Sequence, residues 1–401
     1  MEKLIKIKRA LISVSDKTGI VELAKELYGR KIELVSTGGS ASILRDAGFK
    51  VTEVSKLTGF PEMMDGRLKT LHPNVHGGLL ADRDEKSHVN AMEKYNVKEI
   101  DLLVVNLYPF AETVRAGADY AQCIENIDIG GPAMIRAAAK NFKYVATLVD
   151  IEDYEGLVNE LKMNNGCTSY SFRQKLSQNA FSLSAYYDAM VSNWMLDNIT
   201  GVKPRRFSIS AALSQDLRYG ENPHQSASFF LDEYLQGGIG ASNQIQGKKL
   251  SYNNINDTDA ALELVNEFPQ NDGAAAVIVK HANPCGVGVA NSLVEAYRSA
   301  FSCDKTSAFG GIVALNRIID EESAREIIKV FTEVVIAPDI TEGARKIFSS
   351  KSNLRLLITK KSPVQACSSK VIKHIAGGYL LQDKDIGSLS QDNLRVVTKR
   401  T

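Results

Sequence analysis

The sequence predicts an α/β fold in two domains, and three observations carry that prediction. Short apolar runs alternate with amphipathic helical stretches through most of the chain. The runs are apolar almost throughout, which marks strands of a mostly parallel sheet covered on both faces. A break at Thr200-Gly201-Val202-Lys203-Pro204-Arg205-Arg206 interrupts the alternation, dividing the chain into predicted domains at residues 1–200 and 201–401. At about 150 residues per domain, a chain of 401 residues fits two or three domains.

The elements follow in order. Residues 10–15 (ALISVS) read as a buried strand. Ile20, Leu23, Ala24 and Leu27 recur at i, i+3, i+4 and i+7, an amphipathic helix that Gly29 stops. Residues 32–36 (IELVS) are a second strand, after which Ser40 is the expected N-cap of a short helix to Ala47, closed by Gly48. Residues 100–106 (IDLLVVN) and 143–149 (KYVATLV) are further strands. Between them Gly130-Gly131-Pro132 opens a helix to Asn141, with proline expected at the first helical position. Phe172, Leu176, Ala180, Leu183, Tyr187, Met190 and Trp194 form one stripe, a long helix packed by that face. Past the break, helical stretches at 257–267, 291–301 and 320–332 alternate with apolar runs at 275–279, 311–315 and 334–337. No repeat or low-complexity tract interrupts them.

Composition excludes several classes. The 48 basic and 47 acidic residues leave a net charge of +1, which argues against a protein that grips nucleic acid by its backbone. With 44% hydrophobic and 24% charged residues the chain matches an ordinary globular protein. No apolar run approaches the roughly 18 residues of a membrane span. The start, MEKLIKIKRALISVS, lacks the apolar core and cleavage site of a signal peptide. Cys123, Cys167, Cys285, Cys303 and Cys367 are odd in number and form no CxxC pair, so reduced thiols in a cytoplasm are expected rather than disulfides or structural zinc.

The common nucleotide signatures are missing. No GxGxxG follows a strand, and Gly240…Gly247-Lys248-Lys249 has six intervening residues where a Walker loop needs four. Strand-to-helix junctions carry the signal instead. Ser13-Val14-Ser15-Asp16-Lys17-Thr18-Gly19 and Thr37-Gly38-Gly39-Ser40 would lie at the carboxyl ends of neighbouring parallel strands, where open α/β sheets bind ligands. Their N–H groups, hydroxyls and Lys17 suit a phosphate monoester, although plain caps use the same residues. Gly66-Arg67-Leu68-Lys69-Thr70-Leu71-His72-Pro73 adds cations. His72 and His76 have a metal-like spacing, but Pro73 disfavours the helix that would align them and no third ligand is near, so no metal is expected. Tyr108, after the strand 100–106, sits at the same rim; with Asp128, Lys69 and Lys140 it could move protons, or the group could be a salt-bridged cluster. In the second half Lys280-His281-Ala282-Asn283-Pro284-Cys285-Gly286 follows an apolar strand and reads as a site rather than a core histidine. It lacks the H-x-E and P-C-x-x-C of zinc deaminases. Arg218 and Tyr219 offer phosphate pairing and ring stacking, and Ser307-Ala308-Phe309-Gly310-Gly311 is a tight strand-entry turn.

Taken together, SVSDKTG (13–19), STGG (36–39), GRLKTLHP (66–73), NLYPF (106–110), IDIGGPAMIRAAAKN (127–141), LRYGENPHQ (217–225), KHANPCG (280–286) and SAFGG (307–311) strongly resemble the bifunctional AICAR transformylase/IMP cyclohydrolase family of purine synthesis. The resemblance implies an N-terminal methylglyoxal-synthase-like parallel-sheet domain that closes the purine ring. A cytidine-deaminase-like α/β transformylase domain would follow it. By resemblance, Ser13, Ser15, Lys17, Thr37, Gly38, Gly39, Arg67, Lys69, Thr70 and Gly130 hold the ribotide and its phosphate. Lys69, Asn106, Tyr108, Asp128 and Lys140 match the cyclohydrolase site. In the second domain His281 would be the base for the AICAR amino group, and Lys280 would assist the folate leaving nitrogen. Arg218, Tyr219, Asn283, Phe309, Gly310 and Glu333 are expected substrate-binding positions. The implied co-substrate is 10-formyltetrahydrofolate, the ribotides are AICAR, formyl-AICAR and IMP, and the implied assembly is a cytoplasmic homodimer with no nucleic-acid or membrane partner. Family members continue for more than a hundred residues past the match to residues 394–399, with a further catalytic Asn and a Gly-Ala-Gly-Gln stretch. The resemblance therefore implies an incomplete transformylase domain and mainly cyclohydrolase activity. Two rivals remain at this point: a methylglyoxal-synthase-like lyase acting on a triose phosphate, and a nucleotide-sensing module without catalysis.

Overall fold

A computed structural model of the chain describes residues 4–199, 201–232, 237–359, 370–387 and 394–399. Cys367 and the first residue of the expected interdomain break, Thr200, lie outside the described residues. Two compact units cover residues 1–210 and 211–401.

The first unit runs β1 (Ile5–Lys6), β2 (Arg9–Ser13), α1 (Ile20–Gly29), β3 (Glu33–Ser36), α2 (Gly38–Asp46), β4 (Val51–Glu53), α3 (Val54–Thr58), α4 (Pro73–Leu80) and α5 (Lys86–Lys94). It continues with β5 (Leu102–Val105), α6 (Phe110–Arg115), α7 (Tyr120–Glu125), α8 (Gly130–Lys140), β6 (Ala146–Leu148), α9 (Asp153–Met163), β7 (Cys167–Thr168) and α10 (Tyr170–Asp197). Five of its strands form an all-parallel sheet in the order β4-β3-β2-β5-β6. The chain builds outward from β2 to β4 and returns to β5 on the other side of β2. The switch point therefore lies between β2 and β5, where such sheets open a crevice. Side chains alternate across β2: Ala10 and Ile12 join one buried cluster with α1 and α9, and Leu11 joins the other with α4 and α8.

Three local expectations are corrected. Thr37, not Ser40, precedes α2; Ser40 is buried inside the helix, where its hydroxyl donates to the Val14 carbonyl at 3.0 Å and accepts the Val14 N–H at 3.2 Å. Pro132 is the third residue of α8, not the first. It is tolerated there because the first four N–H groups of a helix need no intrahelical partner. Pro73 does not prevent a helix but starts one, with His72 as its N-cap accepting the Asn74 N–H at 3.1 Å. The two histidines thus serve as cap and helix residue, and no cluster of three metal-binding side chains occurs among the described residues.

The long stripe is a 28-residue helix, α10, about 42 Å long at 1.5 Å per residue. Leu176, Ala180, Tyr187, Met190 and Trp194 are buried along it, with Trp194 edge-on to Phe110 and stacked on Tyr120. Arg173 is wholly buried next to the stripe. Its guanidinium donates to the carbonyls of Phe142 (2.8 Å), Lys143 (3.1 Å) and Thr168, so a charge inside the unit joins the loop after α8 to the end of β7.

The second unit begins with a hairpin, β8 (Ala212–Leu217) and β9 (Ala227–Leu231). Then follow β10 (Asn243–Gln246), α11 (Tyr252–Asn266), β11 (Ala274–Lys280), β12 (Asn283–Ala290), α12 (Leu293–Cys303), β13 (Gly311–Leu315), α13 (Glu321–Ile327), β14 (Thr332–Ala337), α14 (Glu342–Phe348) and β15 (Arg355–Ile358). A last hairpin pairs β16 (Lys370–Ile375) with β17 (Gly378–Asp383). The central sheet has the order β10-β15-β14-β13-β11-β12 and is mixed: β13, β14 and β15 are parallel, while β10, β11 and β12 pair antiparallel. The expected helix 320–332 is shorter, because Thr332 already starts β14. No helix among the described residues is long and apolar enough to cross a membrane.

Candidate functional site

A cavity of about 770 Å³ opens at the carboxyl ends of β2, β3 and β5, at the switch point. The β2–α1 turn enters it with Ser13, Ser15 and Lys17, and the β3–α2 junction with Thr37, Gly39 and Ser40. Arg67, Lys69 and Thr70 come from the loop before α4, Asn106 and Tyr108 follow β5, and Asp128 and Gly130 stand at the start of α8. The sequence places these groups up to 117 residues apart (130 − 13), and the parallel sheet brings them to one rim.

Hydrogen bonds hold the rim together. Asn106 Oδ1 accepts the N–H groups of Ser15 (2.5 Å) and Asp16 (3.0 Å), and its Nδ2 donates to the Asp16 carbonyl at 2.8 Å. One side chain thus fixes the β2 turn from across the switch point. The Ser13 and Thr37 hydroxyls lie 3.1 Å apart, bonded to each other between the two anion-facing turns. Gly38 has a φ of +42°, and a Cβ there would come 2.7 Å from Lys69 Nζ. Only glycine lets the ammonium come so close to the first turn of α2.

Asp128 is the strongest electrostatic feature. Its carboxylate accepts the Gly131 N–H at 2.8 Å at the mouth of α8, and its own N–H donates to the buried Tyr187 hydroxyl at 2.8 Å. Burial pushes its carboxyl above the ordinary range, while the N–H groups of Gly131 and Tyr108 pull it partly back. Tyr187, pushed up to about 12 chiefly by its own burial, stays a neutral phenol. Around the cavity Lys17, Arg67 and Lys69 are matched by Glu62, Glu125 and Asp128. Lys69 Nζ lies 3.0 Å from Glu62 Oε1, and Arg67 pairs with Glu125.

Sequence reading missed Glu62, Glu125 and Tyr187. No local signal marks the two acids, whose partners are set by tertiary folding, and Tyr187 falls within a stripe that reads as packing. Two expected residues do not line the cavity: Gly38, which lies against Lys69, and Lys140. Lys140 closes α8, exposed and about 15 Å along the helix from Gly130, and it does not line the cavity. A second hollow, of about 550 Å³, lies at the amino ends of the strands around Arg9, Glu33, Arg83 and Asp101. Its arginines are bound by Glu33 (2.6 Å) and Asp101 (2.7 Å), which leaves no unmatched charge for a ligand at those two positions.

In the second unit the expected residues gather at one end of the sheet, where β11 finishes and β13 and β14 begin. Lys280 Nζ donates to the Phe309 carbonyl at 2.9 Å. Gly310 N–H donates to the Phe331 carbonyl at 2.7 Å, and the Phe309 and Phe331 rings are 5.3 Å apart. His281 and Ala282 turn from β11 into β12 with φ of +53° and +55°, a left-handed pair unusual without glycine. Asp257 of α11 holds that turn by accepting the N–H groups of His281 (3.1 Å) and Ala282 (3.0 Å), and Asn283 Nδ2 donates to the His281 carbonyl at 2.7 Å. Asp257 is another residue the sequence did not reveal. Near the start of α11, Asn253 donates to the Glu221 carbonyl at 3.4 Å, tethering the loop of Arg218 and Tyr219, where the guanidinium sits 5.5 Å from the Tyr219 ring centre. Glu333 faces Arg355 at 2.6 Å.

Comparison with known proteins places the chain in a family. The AICARFT/IMPCHase bienzyme family matches residues 138–401, and the MGS-like domain matches residues 19–133. The bifunctional purine biosynthesis protein PurH of Dinoroseobacter shibae is 59% identical over 400 residues, covering 100% of this chain and 76% of its own length. The protein of the same name from Ruegeria pomeroyi is 57% identical with the same coverage. A solved structure described as "Crystal structure of ForH" is 36% identical, with a TM-score of 0.42, over 47% of this chain and 98% of its own.

Proposed function

Because the chain belongs to the AICARFT/IMPCHase bienzyme family, a bifunctional purine-biosynthesis enzyme with AICAR transformylase and IMP cyclohydrolase activities, we propose that the switch-point cavity closes the purine ring. The observation that carries this is the meeting of a half-buried carboxyl with raised pKa, Asp128, and a cationic, hydroxyl-lined rim in one crevice. Neither the lyase nor the sensing module accounts for a family match that runs through the second unit.

In the reaction, the carboxamide nitrogen of formyl-AICAR attacks the formyl carbon. A C–N bond forms, the carboxamide nitrogen gives up one proton and the formylamino nitrogen the other as its C=N bond forms, and the formyl oxygen departs with both as water. The nitrogen is a weak nucleophile, so proton removal and charge on the oxygen are the costly parts. Asp128, whose carboxyl burial raises above its ordinary range, would move a proton between nitrogen and departing oxygen. Lys69 and the Tyr108 hydroxyl would donate to that oxygen as it gains negative charge. The turns of Ser13, Ser15, Lys17, Thr37 and Gly39, with Arg67, Thr70 and Gly130, would seat the phosphate and sugar through hydroxyls, cations and helix-start N–H groups.

For formyl transfer we propose the end of the second sheet, with 10-formyltetrahydrofolate as co-substrate. His281 would take the amino proton, Lys280 would assist the leaving folate nitrogen, and Arg218, Tyr219, Asn283, Phe309, Gly310 and Glu333 would contact substrate. The Asp257-held turn supports this reading by giving the Lys280–His281 pair one conformation. A cytoplasmic homodimer is the setting we propose, which suits the free thiols of Cys123, Cys167, Cys285 and Cys303; light scattering of the purified protein tests the assembly. The functional test is incubation with formyl-AICAR followed by absorbance: the enzyme produces IMP, whereas a sensing module binds without product.

A further inference from the structure

The cavity that should receive an anion carries its own. Lys69 Nζ is placed against the first residue of α2, close enough that a Cβ at position 38 would lie 2.7 Å away. The start of a helix carries partial positive charge, so an ammonium there is unfavourable unless an anion neutralises both. Glu62 Oε1, 3.0 Å from the ammonium, is that anion. Its position follows from the local chain: Met63 and Leu68 pair back to back, each N–H donating to the other's carbonyl at 3.3 Å, and this folds Glu62 over the turn toward Lys69. Gly66 at the turn leaves the room, since a Cβ there would come 2.7 Å from Glu62 Oε1.

We propose that Glu62 is a built-in counter-ion that occupies Lys69 while the cavity is empty and competes with the anionic ribotide for it. This rests on the reading of the cavity as the cyclohydrolase site and adds a residue that tunes its affinity. A ribotide brings more negative charge and more acceptor oxygens into the cavity than one carboxylate offers, so as it seats it draws Lys69 away from Glu62. Before binding, the carboxylate holds the ammonium in place without a fixed ligand. The second pair, Arg67–Glu125, differs because both side chains are mostly exposed, at 68% and 60%, so water and salt screen it.

The experiment measures IMP affinity by titration calorimetry and the formyl-AICAR KM by absorbance. Glu62→Gln is expected to tighten IMP binding and lower KM by about two- to five-fold, the range of a partly exposed ion pair. Glu125→Gln should change either by less. In a Lys69→Met background the Glu62 substitution should have little effect, because the competition runs through the ammonium. Unchanged or weaker binding in Glu62→Gln would overturn the proposal, as would equal tightening in Glu125→Gln or in the absence of Lys69. A parent protein that neither binds IMP nor cyclises formyl-AICAR would instead overturn the assignment of the cavity.

Discussion

At the scale of single residues, Asp128 combines the proton-transfer role proposed for it with an energetic cost. Its carboxyl is lifted above its ordinary value near 3.8, chiefly by burial. The native state then holds the proton more tightly than the unfolded chain, so stability falls as pH rises through the window between the ordinary and the raised value. Asp128→Asn removes that cost while its amide oxygen can still accept the Gly131 N–H. The variant should melt higher than the parent at neutral pH, with the gap closing in acid below the ordinary carboxylate value. Cyclisation should drop by about 10²–10⁴-fold, the usual contribution of a positioned acid or base. Melting curves at both pH values, beside turnover, check the pair of effects. Asp128, Tyr108 and Lys69 were legible in the sequence because each sits in a motif at a strand or helix end. Glu62 was not, since its partner is chosen by the fold of the 62–69 turn.

At the scale of elements, α10 does more than pack. Its Tyr187 hydroxyl accepts the Asp128 N–H at 2.8 Å, so the stripe read from spacing as a packing face also fixes the turn before α8. Tyr187→Phe leaves a buried N–H without that acceptor and should cost about 1–3 kcal/mol of stability, with a loss of cyclisation rate; denaturant unfolding and turnover measure both. In the second unit the left-handed turn at His281 and Ala282 depends on α11. Asp257→Ala removes two hydrogen bonds worth about 1 kcal/mol each and should impair formyl transfer while sparing cyclisation. Comparing the two assays on one preparation tests it. α1, α8, α10, α11 and α12 and the apolar runs of β2, β3, β5, β6, β11, β13 and β14 were legible in the sequence, whereas α9 (Asp153–Met163) and the 8-residue β12 (Asn283–Ala290) were not. The stretch from α3 to α5 was not, because α3 has only five residues and α4 carries Gly77-Gly78 in its interior, so neither shows a helical stripe. Pro132 at the third position of α8 and Ser40 inside α2 show how cap chemistry can point two or three residues away from the true start.

At the scale of the molecule, one parallel sheet explains why the candidate residues come from five separate stretches yet meet in one place. The order β4-β3-β2-β5-β6 puts the switch point beside β2, and Asn106 ties its two sides. The near-neutral net charge of +1 is repeated in miniature inside the cavity, where three cations face three carboxylates. Lys140 stands apart from this group at the far end of α8, a separation that sequence order could not reveal because the motif carrying it is continuous. The two activities of the family should separate by unit: Lys280→Met should abolish formyl transfer and leave cyclisation intact, since Lys280 belongs to the 211–401 unit. The most direct measurement is the conversion of formyl-AICAR to IMP, followed by absorbance, for the parent and Asp128→Asn side by side. The switch-point cavity as cyclohydrolase site predicts rapid IMP formation by the parent and its collapse in the folded variant. Equal rates in the two proteins would contradict it.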